Sequence, residues 1–192
     1  MIERLSQAIK AAKVFAAKKD IRYYLNGVAL HIQGTTITSV VSSDGHCCCI
    51  IGNQELQHDS EVVVVSNEDV PILLRALEGI PEGTSTVNGL KIAHMKLVIG
   101  DYSVPLIDGR FPDVRRIIPA QKRNAGSEIG INPDLLAKLK PFKTELCKHL
   151  KPRDRTAVGS TMKAGEANES IRFDFTNPKI DMATVIISPM RL

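Results

Sequence analysis

The 192-residue chain contains no tryptophan, and aromatic residues make up only 4% of it. Hydrophobic residues reach 43%, so a core is available, but it must be aliphatic and sheet-rich. Long apolar runs are missing too. No stretch approaches the roughly 20 residues of a membrane span. The first residues, MIERLSQAIKAAK, mix charge with apolar positions and offer no apolar signal-peptide segment. Cysteine is scarce and unsuited to a disulfide framework. Three of the four are adjacent, Cys47, Cys48 and Cys49, with Cys147 alone. That usage predicts a reducing, cytosolic compartment. A large net charge is also lacking, the total being +4.

The charge that is present is gathered. Residues 2–19 carry Arg4, Lys10, Lys13, Lys18 and Lys19 against Glu3. Residues 132–155 carry seven Lys and Arg against Asp134, Glu145 and Asp154. Basic charge on particular segments points to a polyanion partner, although solvated helix faces produce the same pattern.

Periodicity organises the chain. Ile2, Leu5, Ile9, Ala12 and Ala16 fall on one face of a helix over 2–18, with Arg4, Lys10 and Lys18 on the other. Turn pairs Asn26-Gly27, Gln33-Gly34 and Asp44-Gly45 separate the short strands YYL, VALHI, ITSVV and CCCII, the last starting at His46. EVVVV (61–65) is a strand, and Val70, Leu73, Leu74 and Leu77 face one side of a second helix. Strands STVNG, LKIAHMKLVIG and YSVPLID follow. A third round starts with SEIGI (127–131). Asn132-Pro133 opens a helix that Pro141 interrupts, and SIRFDF and MATVIIS are the last strands. Residues 141–169 are polar and carry no clear period. The expectation is an α+β chain of three βαβββ-type units with a period near 60, the first lacking its leading strand.

Four motifs give this pattern a family. LIDGRFPDVRRIIP (Leu106 to Pro119), RYYLNG (Arg22 to Gly27), the SSDGH run ending at His46, and the final SPMRL resemble the β subunit of bacterial DNA polymerase III, the sliding clamp, in that order along the chain. Residues 1–120 resemble the family's middle domain, and residues 121–192 the second half of its last domain. The resemblance implies a DNA-clamp fold, with helices lining a ring and sheets forming its wall. Twelve units per ring and three per chain predict a homotetramer. Closed rings are the usual product of head-to-tail contacts whose rotation closes.

What the family does sets the expected sites. Encircled double-stranded DNA needs sequence-independent cations on the pore helices, for which Arg4, Lys10, Lys18, Lys138 and Lys140 are candidates, with Arg22 and Tyr23 from a loop that touches DNA in the family. DNA polymerase and the clamp loader dock through short peptides in an apolar pocket. Its expected walls are Leu25, Ser43, Gly45, His46 and Cys48 from the first sheet and Pro112, Arg116 and Ile117 from the LIDGRFP segment. The chain end completes it with Ile186, Ile187, Pro189, Met190, Arg191 and Leu192. No catalytic group, metal or other cofactor is expected.

Strand alternation sends Cys48 to one face of the sheet and Cys47 and Cys49 to the other, so the three sulfurs cannot meet one zinc ion. A cysteine enzyme using Cys48 or Cys147 with His46 or His149 lacks an orienting third group and an oxyanion site. The competing reading within the family is a shortened relative that binds or competes with a full-length clamp as a regulator. A compact, diverged copy further points to a mobile element or phage.

Overall fold

The computed structural model describes residues 2–56, 59–118, 129–164 and 169–190. Helix α1 (Leu5–Ala12) continues as a 3-10 turn over Lys13–Phe15. Its inward positions Leu5, Ala8, Ile9 and Ala12 are buried, as the period requires. Strands β1 (Gly27–Gln33), β2 (Thr36–Ser43), β3 (Cys47–Gly52) and β4 (Glu61–Ser66) follow, then α2 (Val70–Ala76). Strands β5 (Lys91–Ala93), β6 (Lys96–Ile99) and β7 (Tyr102–Pro105) form a three-stranded antiparallel sheet. Helices α3 (Pro133–Ala137), α4 (Leu139–Leu146) and α5 (Pro152–Ala157) precede β8 (Thr161–Lys163), β9 (Ile171–Phe175) and β10 (Ala183–Ile187).

The larger sheet has seven strands in the order β4-β1-β2-β3-β10-β9-β8, all antiparallel. Its centre is the pairing of β3 with β10, strands 130 or more residues apart, in register Cys48 to Ile186 and Cys47 to Ile187. Period two then decides which side chains meet. Val28, Leu30, Cys47, Cys49, Val185 and Ile187 pack under α1, α2 and α4 in the main core. Ala29, Val41, Cys48, Ile50, Val64 and Ile186 form a second cluster on the opposite face, covered by Leu25, Phe111 and Val114. A cluster of three phenylalanines joins the helices to the sheet. Phe142 on α4 lies edge-on to Phe15 and Phe175, with centroids 5.3 and 5.4 Å apart. The backbone N–H groups of Glu3 and Arg4 donate to the Asp181 carboxylate at 2.6 and 3.1 Å, so the segment before β10 also holds the start of α1.

Several sequence expectations are corrected. YYL is a 3-10 turn, closed by Leu25 N–H donating to the Arg22 carbonyl at 2.8 Å. Three residues are too few for an alternation signal to separate turn from strand. His46 lies in the turn, and β3 begins at Cys47. STVNG makes only the isolated bridge of Thr86 to Thr36. LKIAHMKLVIG folds back on itself, because His94 and Met95 take φ of 49° and 60° and pair Ala93 with Lys96. That two-residue turn normally advertises itself as Asn-Gly, so His-Met gave no signal. The third helix breaks at Lys138, ahead of Pro141 rather than at it. The Pro141 ring conflicts with the carbonyl four residues back, that of Ala137, so the chain turns between the two. Of SEIGI, Ser127 and Glu128 lie outside the described residues, and Gly130 makes a single bridge to Met190. The segment without a period holds the greater part of α4, together with α5 and β8.

Candidate DNA and peptide interface

The two faces of the large sheet differ in chemistry. On the helix side, α1, α2 and the α3–α4 corner surround a cleft of about 950 Å³ lined by Lys10, Lys13, Lys18, Lys138 and Lys148, with Glu145 as its one acidic residue among the described residues. Val14, Pro71, Leu74 and Pro141 supply the apolar part of its wall. Lys10 and Lys18 are exposed and have no ionic or hydrogen-bond partner among the described residues. Lys13 donates to the Asn67 carbonyl at 2.8 Å, and Lys148 pairs with Glu145 at 3.5 Å. Neither Lys13 nor Lys148 was singled out from the sequence. Lys13 was one charge in a basic run, and Lys148 lies beyond Pro141, where the helical period was lost.

Other candidate DNA residues sit differently. Arg4 is the N-cap of α1, its side chain only 22% exposed, and it pairs with Glu3 and Glu82. It is not a free cation. Lys140 is exposed outside the cleft lining. Lys138 pairs with Asp44. Arg22 donates through Nε and Nη2 to the Asp20 carboxylate at 3.0 and 2.8 Å, which holds that carboxyl down at about 2. A Cβ on Gly45 would lie 2.5 Å from an Arg22 guanidinium nitrogen, so Arg22 rests directly on the SSDGH turn. Gly45 has φ +90°, which together with that contact explains why glycine stands there. Tyr23 is 55% exposed beside Gly109.

On the opposite face, the expected pocket residues come together in part: Pro112 lines a cavity of about 360 Å³ with His31, Leu56, Ser60 and Val62, at the far end of β1 from the SSDGH turn. Leu25, Cys48 and Ile186 share one buried cluster with Phe111 and Val114, both missed from the sequence. Ser43 Oγ donates to the Cys47 carbonyl at 2.7 Å and accepts from Gly45 N–H at 3.1 Å, fixing the turn. Ser188 N–H donates to the His46 carbonyl at 2.8 Å, and Met190 N–H to that of Gly130, so the chain end is tied to this turn. Pro189 is partly buried and Met190 exposed. Pro112, Arg116 and Ile117 are exposed on the segment that covers the cluster. Ile187 is the exception: it is fully buried under the helices, because neighbours on a strand face opposite ways. Arg191 and Leu192 lie outside the described residues.

The cysteines are packing groups. Burial pushes the Cys47 and Cys49 thiols up to about 12 and Cys48 well above the ordinary value, and it raises Cys147 as well. His149 Nε2 lies 2.8 Å from the Lys179 carbonyl rather than against a thiol. We expect no cysteine to react with Ellman's reagent at pH 8 in the folded protein and all four to react in denaturant. Rapid labelling of the native chain contradicts this packing.

A family model described as DNA polymerase III beta subunit, central domain, matches residues 2–113. The beta sliding clamp of Haemophilus influenzae is 36% identical over 138 residues, 69% of this chain and 35% of that protein. The Escherichia coli K12 clamp is 31% identical over the same shares. This chain therefore spans about a third of the length of such relatives. Among solved structures, a Pseudomonas aeruginosa sliding clamp with ligand aligns at TM-score 0.67 and 18% identity, covering 99% of this chain and 64% of that one. A Caulobacter crescentus clamp with polyethylene glycol at its putative beta-motif tethering region aligns at 0.57 and 17%, covering 98% and 64%. With more than half of its length matched by the central-domain model, the chain belongs to the DNA polymerase III beta-subunit, or sliding clamp, family.

Proposed function

We propose that this chain is a minimal sliding clamp, a processivity factor that surrounds duplex DNA and tethers a polymerase and other partners through short peptides. It has no catalytic step and no cofactor. The observation that carries this reading is the opposition of faces: a lysine-lined cleft among the helices, and an apolar cluster at the chain end on the other side of one sheet. Lysines without base-reading partners suit phosphate contacts that carry no sequence information. The exposed apolar side chains of Met190 and Ile117 suit a linear peptide, and methionine adapts to varied ligands. Residues 1–120 act as the middle domain and 121–192 as half of the last domain, and four such chains close a ring.

Griselimycin, which a P. aeruginosa clamp binds in another solved structure, is the probe chosen for this pocket reading. Calorimetry should detect its binding to the intact chain. Removing residues 190–192 should abolish that binding without changing the molar mass. Equal affinity in the shortened chain contradicts the pocket assignment.

The alternative reading is a regulator that pairs with a full-length clamp or competes for its partners. That reading predicts no ring made of this chain alone.

A further inference from the structure

The SSDGH turn is held from two sides by cations. Asp44 Oδ1 accepts the N–H groups of His46 and Cys47 at 2.8 and 2.7 Å, and its Oδ2 takes the Lys138 ammonium. Arg22 lies over the adjacent Gly45. Burial pushes the Asp44 carboxyl up, but the Lys138 contact and the two N–H groups outweigh it, and its pKa stays below the usual carboxylate range. The Asp44 side chain is 14% exposed and that of Lys138 31%. Lys138 itself stands at the corner between α3 and α4, where Pro141 forces the chain to turn. Its ammonium thus reaches from the last third of the chain to a turn of the first.

We propose that Lys138 is a positioning residue of the peptide pocket, holding the Ser43–His46 turn in its receptive shape through Asp44, and not a DNA contact. This rests on the pocket reading above. Three links support it. The turn contains His46 and Gly45, two of the walls expected for the pocket. Its His46 carbonyl receives the Ser188 N–H that ties in the chain end. Cys47, whose N–H is held by Asp44, begins the strand that pairs with β10. Loss of the ammonium leaves a largely buried carboxylate satisfied only by N–H groups, and the turn is free to move away from Ser188.

The test is griselimycin affinity by calorimetry for the intact protein and for Lys138→Gln, Lys138→Arg and Asp44→Asn, with amide hydrogen exchange at His46 and Cys47. Lys138→Gln and Asp44→Asn should each weaken binding about fivefold and speed exchange at those two amides. Lys138→Arg keeps the charge and should restore both. A merely structural role would lower the unfolding midpoint and leave these local readouts unchanged, which overturns the proposal. Reduced DNA affinity of Lys138→Gln at unchanged griselimycin affinity also overturns it, in favour of a phosphate contact. A wild-type chain that does not bind griselimycin removes the pocket reading and this proposal together.

Discussion

Replacing Phe142 by alanine should lower the unfolding free energy by about 3–5 kcal/mol, the range for removing a fully buried aromatic ring. The ring is 0% exposed and touches two others edge-on. These three are most of the phenylalanine in a chain with five phenylalanines and no tryptophan. They also join the 3-10 turn after α1, α4 and β9, elements that are far apart in sequence, so the vacated space has no local segment that can collapse into it. Urea unfolding at one fixed chain concentration measures the loss. Thr144→Ala, on the exposed side of the same helix, should change it by less than about 0.5 kcal/mol. A loss below about 1.5 kcal/mol for Phe142→Ala contradicts the packing described.

Reversing Lys10 and Lys18 together to glutamate should cut association with a short duplex by about 10- to 100-fold at low salt. The slope of log affinity against log salt should fall by about 2, close to one unit per lost phosphate contact. Both ammonium groups are exposed, unpartnered among the described residues, and on the wall of one cleft. Lys13→Glu should do less to DNA, since Lys13 Nζ already serves the Asn67 carbonyl. Arg4→Glu should act mainly on stability, because Arg4 is engaged with Glu3 and Glu82. An unchanged slope in the Lys10/Lys18 variant means that the helix face is not the DNA face.

Local periodicity carried the parts of this structure that local physics decides. The cysteine run is the clearest case: alternation alone set Cys48 on one face and Cys47 and Cys49 on the other, which lies under the helices, while the family resemblance set Cys48 with Leu25 and Ile186. Applied one step further, the same rule separates Ile187 from Ile186. The family motifs marked the turn, the covering segment and the chain end; the turn and the chain end meet where the His46 carbonyl accepts the Ser188 N–H, while Pro112 and Val114 of the covering segment lie with His31, Leu56 and Val62. Long-range pairing was not legible. Nothing in the sequence around Lys138 indicates that its partner is Asp44, and a lysine beside Lys140 on a basic helix reads as a phosphate contact. Arg4 misled for the same reason, since its partner Glu82 follows the second helix. The His94-Met95 turn was missed because its backbone is enforced by strand pairing rather than by residues that favour positive φ.

Ring closure by this chain alone separates a clamp from a shortened regulator, and the molar mass in dilute solution tests it most directly. Light scattering on a sizing column should give about 84 kDa, four chains of 21.0 kDa, unchanged on tenfold dilution. A mass near 21 kDa, or one that rises only when a full-length clamp is added, contradicts the homotetrameric ring and assigns the chain to the regulatory reading.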